Sequence, residues 1–190
     1  MAPATLRRRK PGWPDALAQW PQRDLAGTRD VYVWGDGVYL ATRLEAARHG
    51  MLVMSGVDAT GHPELVGLWD GDRESAQSWK ELRLDLQSRG RAPAPAWAIG
   101  DGALGFGQAL RHGYGQTRGP RCWVHQTAKV LDKRPQDLQA QAKQRLQALG
   151  LAPARQRAER AFDVFMASDE AKDPKAAECL AQEREALLAC

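Results

Sequence analysis

Cysteine is scarce in this 190-residue chain: Cys122, Cys179 and Cys190 are too few and too scattered for a disulfide framework. That scarcity fits a reducing compartment. Long apolar runs are missing too. No stretch approaches the roughly 18 consecutive apolar residues that a helical membrane span needs. The start, MAPATLRRRKPGWP, is basic but leads into no apolar segment, so a secretory signal is not expected. The expectation is therefore a cytoplasmic protein with no membrane partner. Repeats and low-complexity tracts are likewise absent. Charge of one sign barely dominates: 27 Lys and Arg against 23 Asp and Glu leave +4. This balance is compatible with a polyanionic partner and does not require one. Part of the excess lies in LRRRK at 6–10, a solvated tail by default.

What is present reads as an α/β chain. Pro3, Pro11, Pro14 and Pro21 break residues 1–30 into an irregular leader, with PDALAQW as its one short helix. Residues 31–71 hold VYVWGDGVYLAT, MLVMSGVDAT and ELVGLWDG, each rich in strand formers and bounded by Gly, Asp, Thr or Pro. A three-stranded meander is the simplest account. RLEAARHG, after the first of them, reads either as a continued strand or as a helical turn. Ala76, Trp79, Leu82 and Leu86 then recur at helical spacing, with Asp72 or Ser75 as cap and Gly90 beyond the end. APAPAWAIG reads as a buried strand, ALGFGQALRHG as a helix and RCWVH as a further strand. The crossover implies a partly parallel sheet. Most of the seven tryptophans read as core.

From about 135 the texture is Ala, Gln, Arg and Leu, with Pro135, Pro153 and Pro174 where helices should begin. Leu138, Ala142, Leu146 and Leu149 make one apolar stripe; Ala158, Phe162 and Phe165 make another. An all-helical lobe over 135–190, after a core over 31–134, is the expected organisation.

Two lone aspartates stand out, because each sits between glycines after an apolar strand: Asp36 in VYVWGDGVYL and Asp101 in PAWAIGDGALGFG. Either tripeptide alone is ordinary turn chemistry. Both together, in this element order, suggest two carboxylates at strand ends, where a rigid sheet positions side chains. Asp36 lies within or at the end of its strand. A pair of carboxylates suits a divalent cation such as Mg2+ or Mn2+, and the glycines would leave room for a phosphate backbone. Asp70 and Asp72, in WDGDRES, are explained by helix capping.

In this order the segments VYVWGDGVYLATRLE, LVGLWDGDRESAQSWKELRLDLQSRG, AWAIGDGALGFGQAL and RCWVHQTAKVLDK resemble the Mutator-type transposases of bacterial insertion sequences, over about 15–190. The resemblance implies an RNase H-like mixed sheet flanked by helices, with a triad of acids and a helical insertion before the last. It implies Asp36 and Asp101 as the first two acids, catalytic and metal-binding, serving DNA cleavage and strand transfer with Mg2+ or Mn2+. The Cys-x-x-His pattern of the family falls on Cys122 and His125. Two such ligands could begin a zinc site, but four are normally required and no second pair exists. Cys122 is expected to be buried in the last strand. His125 either assists at the acids or the DNA, or is a satisfied structural histidine. Arg118 and Arg121 either meet phosphates or belong to a solvated loop, with Arg121 the favoured DNA contact.

Nothing resembles the Asn-Pro-Ile-Glu-Ser-like stretch of the third acid, nor the end-binding N-terminal region, so the chain is expected to be truncated at both ends and inactive alone. Glu159, Glu178, Glu183 and Glu185 match no motif. DNA, further copies and full-length transposase are the expected partners, at the nucleoid. A non-catalytic remnant or an interfering partner of full-length transposase, and a free-standing RNase H-like metal-dependent nuclease, are the rival readings.

Overall fold

The computed structural model describes residues 10–40, 49–70, 74–102 and 104–189. The fold is mixed α/β, with strands in the order β3-β2-β1-β4: Asp30–Leu40 (β1), His49–Asp58 (β2), Pro63–Asp70 (β3) and Trp97–Ile99 (β4). The chain forms two compact units, one of residues 1–96 and 104–117, the other of 97–103 and 118–190.

The first unit is the expected meander backed by helices. β1 pairs antiparallel with β2, and β2 with β3. Alternation sorts the side chains: Val33, Leu52, Met54 and Val66 are buried, while Tyr32, Trp34, Asp36 and Val38 of β1 are exposed. Ala76–Ser88 (α2) buries Trp79, Leu82 and Leu86, the expected stripe, and its start is capped by the Ser75 hydroxyl, which accepts from Ser78 N–H at 3.0 Å. Leu104–Gly113 (α3) contributes Phe106, set edge-on to Trp79 at 4.8 Å. Asp30, at the start of β1, accepts from Arg91 Nε at 2.6 Å, and both are buried. The short helix expected at PDALAQW is α1, Trp13–Gln19, which buries none of its residues. Asp72 and most of RLEAARHG lie outside the described residues; β2 resumes at His49.

The tryptophans divide: Trp79 is fully buried, Trp123 is half-buried against the core of the second unit, Trp20, Trp69 and Trp97 are half-buried, and Trp13 and Trp34 are exposed, one on α1 and one on the outward face of β1.

The second unit contains β4, Trp123–Leu131 (α4), Gln136–Gly150 (α5), Arg155–Asp169 (α6), Pro174–Ala181 (α7) and the single turn Arg184–Leu187 (α8). Leu146, Leu149, Phe162, Phe165 and Leu180 share its core. Pro135 precedes α5 and Pro174 opens α7, as expected. Leu138 leaves the expected stripe: it is exposed in the first turn of α5. Gln139 turns inward beside it, its side chain donating to the Leu131 and Arg134 carbonyls at 3.1 and 3.2 Å. Arg134 is buried with Asp169, to which it donates, and with Asp173 at 3.1 Å.

Candidate functional site

Asp36 stands in the middle of β1, opposite Val53, and is exposed. The first GDG is therefore strand and not turn. Its glycines face the other way, toward the helices. A Cβ on Gly35 would lie 2.5 Å from Phe106 Cε2, and one on Gly37 would collide with the Glu74 carboxylate. The space expected for a phosphate backbone is filled at this strand by Phe106 and Glu74. Small residues here let a helix side chain and an acid lie directly on the backbone of β1.

Asp101 follows the end of β4 and is half-buried. Its loop is held from three sides within the second unit. Gly100 forms a parallel bridge with Arg121, and its carbonyl accepts from Cys122 N–H at 2.9 Å. The Asp101 carbonyl accepts from Lys129 Nζ at 2.6 Å. Gly102 has φ +89°, and a Cβ there would lie 2.7 Å from Arg121 Nε and collide with the rest of the guanidinium. This glycine is required twice, for the left-handed backbone and for the arginine lying across it.

Arg121 donates from Nε to Glu183 Oε2 at 2.6 Å, and its backbone N–H donates to the Ala186 carbonyl at 3.1 Å. The expected phosphate contact is thus ion-paired to an acid from the far end of the unit. Arg118 lies over the Trp97 ring, 4.9 Å from its centroid.

The expected strand RCWVH is not formed. Arg121 makes only the bridge to Gly100, and a helix starts at Trp123 with Cys122 as its N-cap, half-buried and not within a strand. Helical period wins because Trp123, Gln126 and Val130 fall on one side of α4; Gln126 and Val130 are buried, and Gln126 donates to the Cys179 carbonyl at 2.7 Å. His125 consequently sits in the first turn of α4, half-buried. Asp101, Arg121 and His125 belong to one unit and Asp36 to the other. Sequence reasoning did not single out Lys129 and set Glu183 aside as matching no motif. Both reach this loop or its Arg121 through long-range contacts that leave no local pattern.

Carboxylate oxygens are the right donors for Mg2+ or Mn2+, which retain waters and need only one or two protein carboxylates besides substrate phosphates. Asp36 and Asp101 fit in kind. No group of three His, Cys, Asp or Glu that could hold a metal occurs among the described residues.

The family model described as "Transposase, Mutator family" matches residues 11–190. The transposase for insertion sequence element IST2 of Acidithiobacillus ferrooxidans is 43% identical over 189 residues, covering 100% of this chain and 64% of that protein. The transposase for insertion sequence element IS6120 of Mycolicibacterium smegmatis is 39% identical over 188 residues, 99% of this chain and 58% of that protein. The chain therefore spans about three-fifths of the length of these relatives. Among solved structures, a simian T-cell lymphotropic virus intasome superimposes with a TM-score of 0.36 at 14% identity, over 70% of this chain and 51% of that one. The HTLV-2 integrase catalytic core domain in complex with magnesium gives 0.35 at 14% identity, over 68% and 90%. With the match to the family model spanning nearly the whole sequence, the chain belongs to the Mutator family of transposases.

Proposed function

We propose that this chain supplies two of the three metal-binding acids of an RNase H-like core for DNA cleavage and strand transfer. Asp36 and Asp101 are the two carboxylates, His125 assists from the start of α4, and Arg121 contacts DNA. Residues 135–190 are the start of the helical insertion. The observation that carries this reading is the setting of Asp101. It follows the end of a strand bridged in parallel, in a loop held by Lys129 and Cys122 N–H. Ligands of open α/β sheets bind at such carboxyl ends.

When bound, a divalent metal would supply activation of a water and charge stabilisation at phosphorus. The chain's own part is to fix the two carboxylates and to bring cationic side chains to the phosphate backbone. With two acids of three, the polypeptide alone is inactive, because losing one member of a catalytic set costs orders of magnitude in rate.

Manganese titration and plasmid nicking, run side by side, test the reading. The native chain should bind Mn2+ weakly, and Asp36→Asn and Asp101→Asn should each weaken that binding. Nicking by the native chain should equal the background of the Asp101→Asn variant. Unchanged manganese binding in both variants would sink the metal assignment. Nicking that disappears in Asp101→Asn would instead establish a free-standing nuclease.

A further inference from the structure

A carboxylate that occupies an arginine marks a place where an anion fits. Glu183 does so at Arg121, on the loop that carries Asp101. The two side chains are 31% and 29% exposed, so the pair is open to solvent and to competing anions. Lys129 brings a second cation to the same loop. Its exposed ammonium has three donors, one of which goes to the Asp101 carbonyl. Arg121 is anchored through its own backbone to Gly100 and Ala186, so its position does not depend on Glu183. Glu183 lies between α7 and α8, where no helical hydrogen bond of its side chain holds it in place.

We propose that Arg121 and Lys129 form a phosphodiester-binding site on the Gly100–Gly102 loop, and that Glu183 is its internal anion, displaced when a nucleic-acid phosphate enters. The inference rests on the reading that the chain acts on DNA, and it adds a competitor that keeps the site closed until phosphate is present. A partly exposed ion pair is worth little in water. A polyanion that releases counterions on binding can therefore replace it. A guanidinium donates to phosphate oxygens with the same fork it offers a carboxylate, so the exchange needs no rebuilding of the loop.

The test is binding of the full chain to a short DNA duplex, without metal, across a salt series. Glu183→Gln should raise affinity several-fold, because no internal anion has to be displaced, and should keep the native dependence of log K on log salt, because Arg121 meets the same phosphate in both chains. Arg121→Gln/Glu183→Gln should lose the gain and flatten that dependence by about 0.9, the increment for one phosphate contact. In the Glu183→Gln background, Lys129→Met should also reduce the slope. Glu185→Gln removes an equal charge from an acid that is 84% exposed and paired to Arg155, and should leave the affinity near that of the native chain. An unchanged affinity in Glu183→Gln, or a gain that survives loss of Arg121, overturns the proposal. Circular dichroism of each variant verifies folding, and the double variant, in which both partners are neutral, remains informative if Glu183→Gln alone does not fold. Because no metal is present, failure of Asp36 and Asp101 to bind manganese leaves this outcome standing, and the reverse also holds.

Discussion

Gly35-Asp36-Gly37 and Gly100-Asp101-Gly102 are the same three residues in two different backbones. In the first, extended chain passes straight through the aspartate, and the glycines are small because Phe106 and Glu74 press on the strand from behind. In the second, the chain leaves its strand through a left-handed glycine, and an arginine lies where a side chain would be. Glycine serves packing in one place and backbone conformation in the other. The support differs as well. Asp36 stands on a long strand, opened by the buried pair of Asp30 with Arg91. Asp101 hangs on contacts from α4 and from the end of the helical unit. One acid is fixed by sheet, the other by helices.

The largest effect should come from attacking the helical support. Arg134→Met leaves buried Asp169 with Arg145 and Ser168 as its remaining side-chain partners, and removing one member of a buried pair costs about 3 kcal/mol or more. Hydrogen-exchange protection should fall across residues 136–187 and hold across 50–70. The same pair sets an acid limit. Burial alone would push the Asp169 carboxyl up, but hydrogen bonds from Ser168 and Arg134, with the charges of Arg134 and Arg145, hold it below its ordinary value. A carboxylate depressed in the folded state gives stability that is present above the unfolded value and lost as pH falls through the folded one. The helical unit should therefore weaken below about pH 4, less steeply in Arg134→Met than in the native chain. Equal loss of protection in both segments would erase the distinction between the two supports.

Gly35→Ala probes the other side. Its methyl would meet the Phe106 ring, which is wedged against Trp79 and has little room to move. Overpacking of this kind costs roughly 1–3 kcal/mol. A lowered urea midpoint is expected, with protection lost across 30–70. What a methyl on Gly37 meets is the far end of the Glu74 side chain and not an aromatic ring, so Gly37→Ala should cost less than Gly35→Ala. The reverse ranking would mean that the Glu74 carboxylate, and not the aromatic ring, is the rigid wall behind β1.

Much of this architecture was legible because it is written in period and punctuation. Trp79, Leu82 and Leu86 declare their helix, Ser75 its cap, and Pro135 and Pro174 the starts of theirs. The meander followed from three segments rich in strand formers and bounded by turn residues; at the turn after β2, Asp58 accepts from Thr60 and His62 N–H. Short apolar segments carried less information. RCWVH is too brief for its period to be read, and Gln126, polar yet buried through Cys179, hid the helix. At the candidate site the two acids were visible as motifs. What touches them was not: Phe106, Glu74, Lys129 and Glu183 arrive from 28 or more residues away in the chain, through contacts that no local spacing encodes.

The smallest change in stability, and the one most specific to the second acid, is expected from Gly102→Ala. A left-handed backbone costs a residue with a Cβ about 1–2 kcal/mol, and the methyl must also move the Arg121 guanidinium. Arg121 is a flexible side chain, so the steric part is relieved by shifting it away from Glu183, and the loss should stay near the backbone cost. Thermal unfolding would then show a modest decrease, while the charge of Arg121 is freed from its partner. Gly102→Ala should consequently resemble Glu183→Gln in its raised affinity for DNA, although no acid has been removed. If it lowers stability but leaves that affinity unaltered, Arg121 keeps Glu183 from a new position. The two GDG glycines would then differ only in backbone angle, and not in what they hold in place.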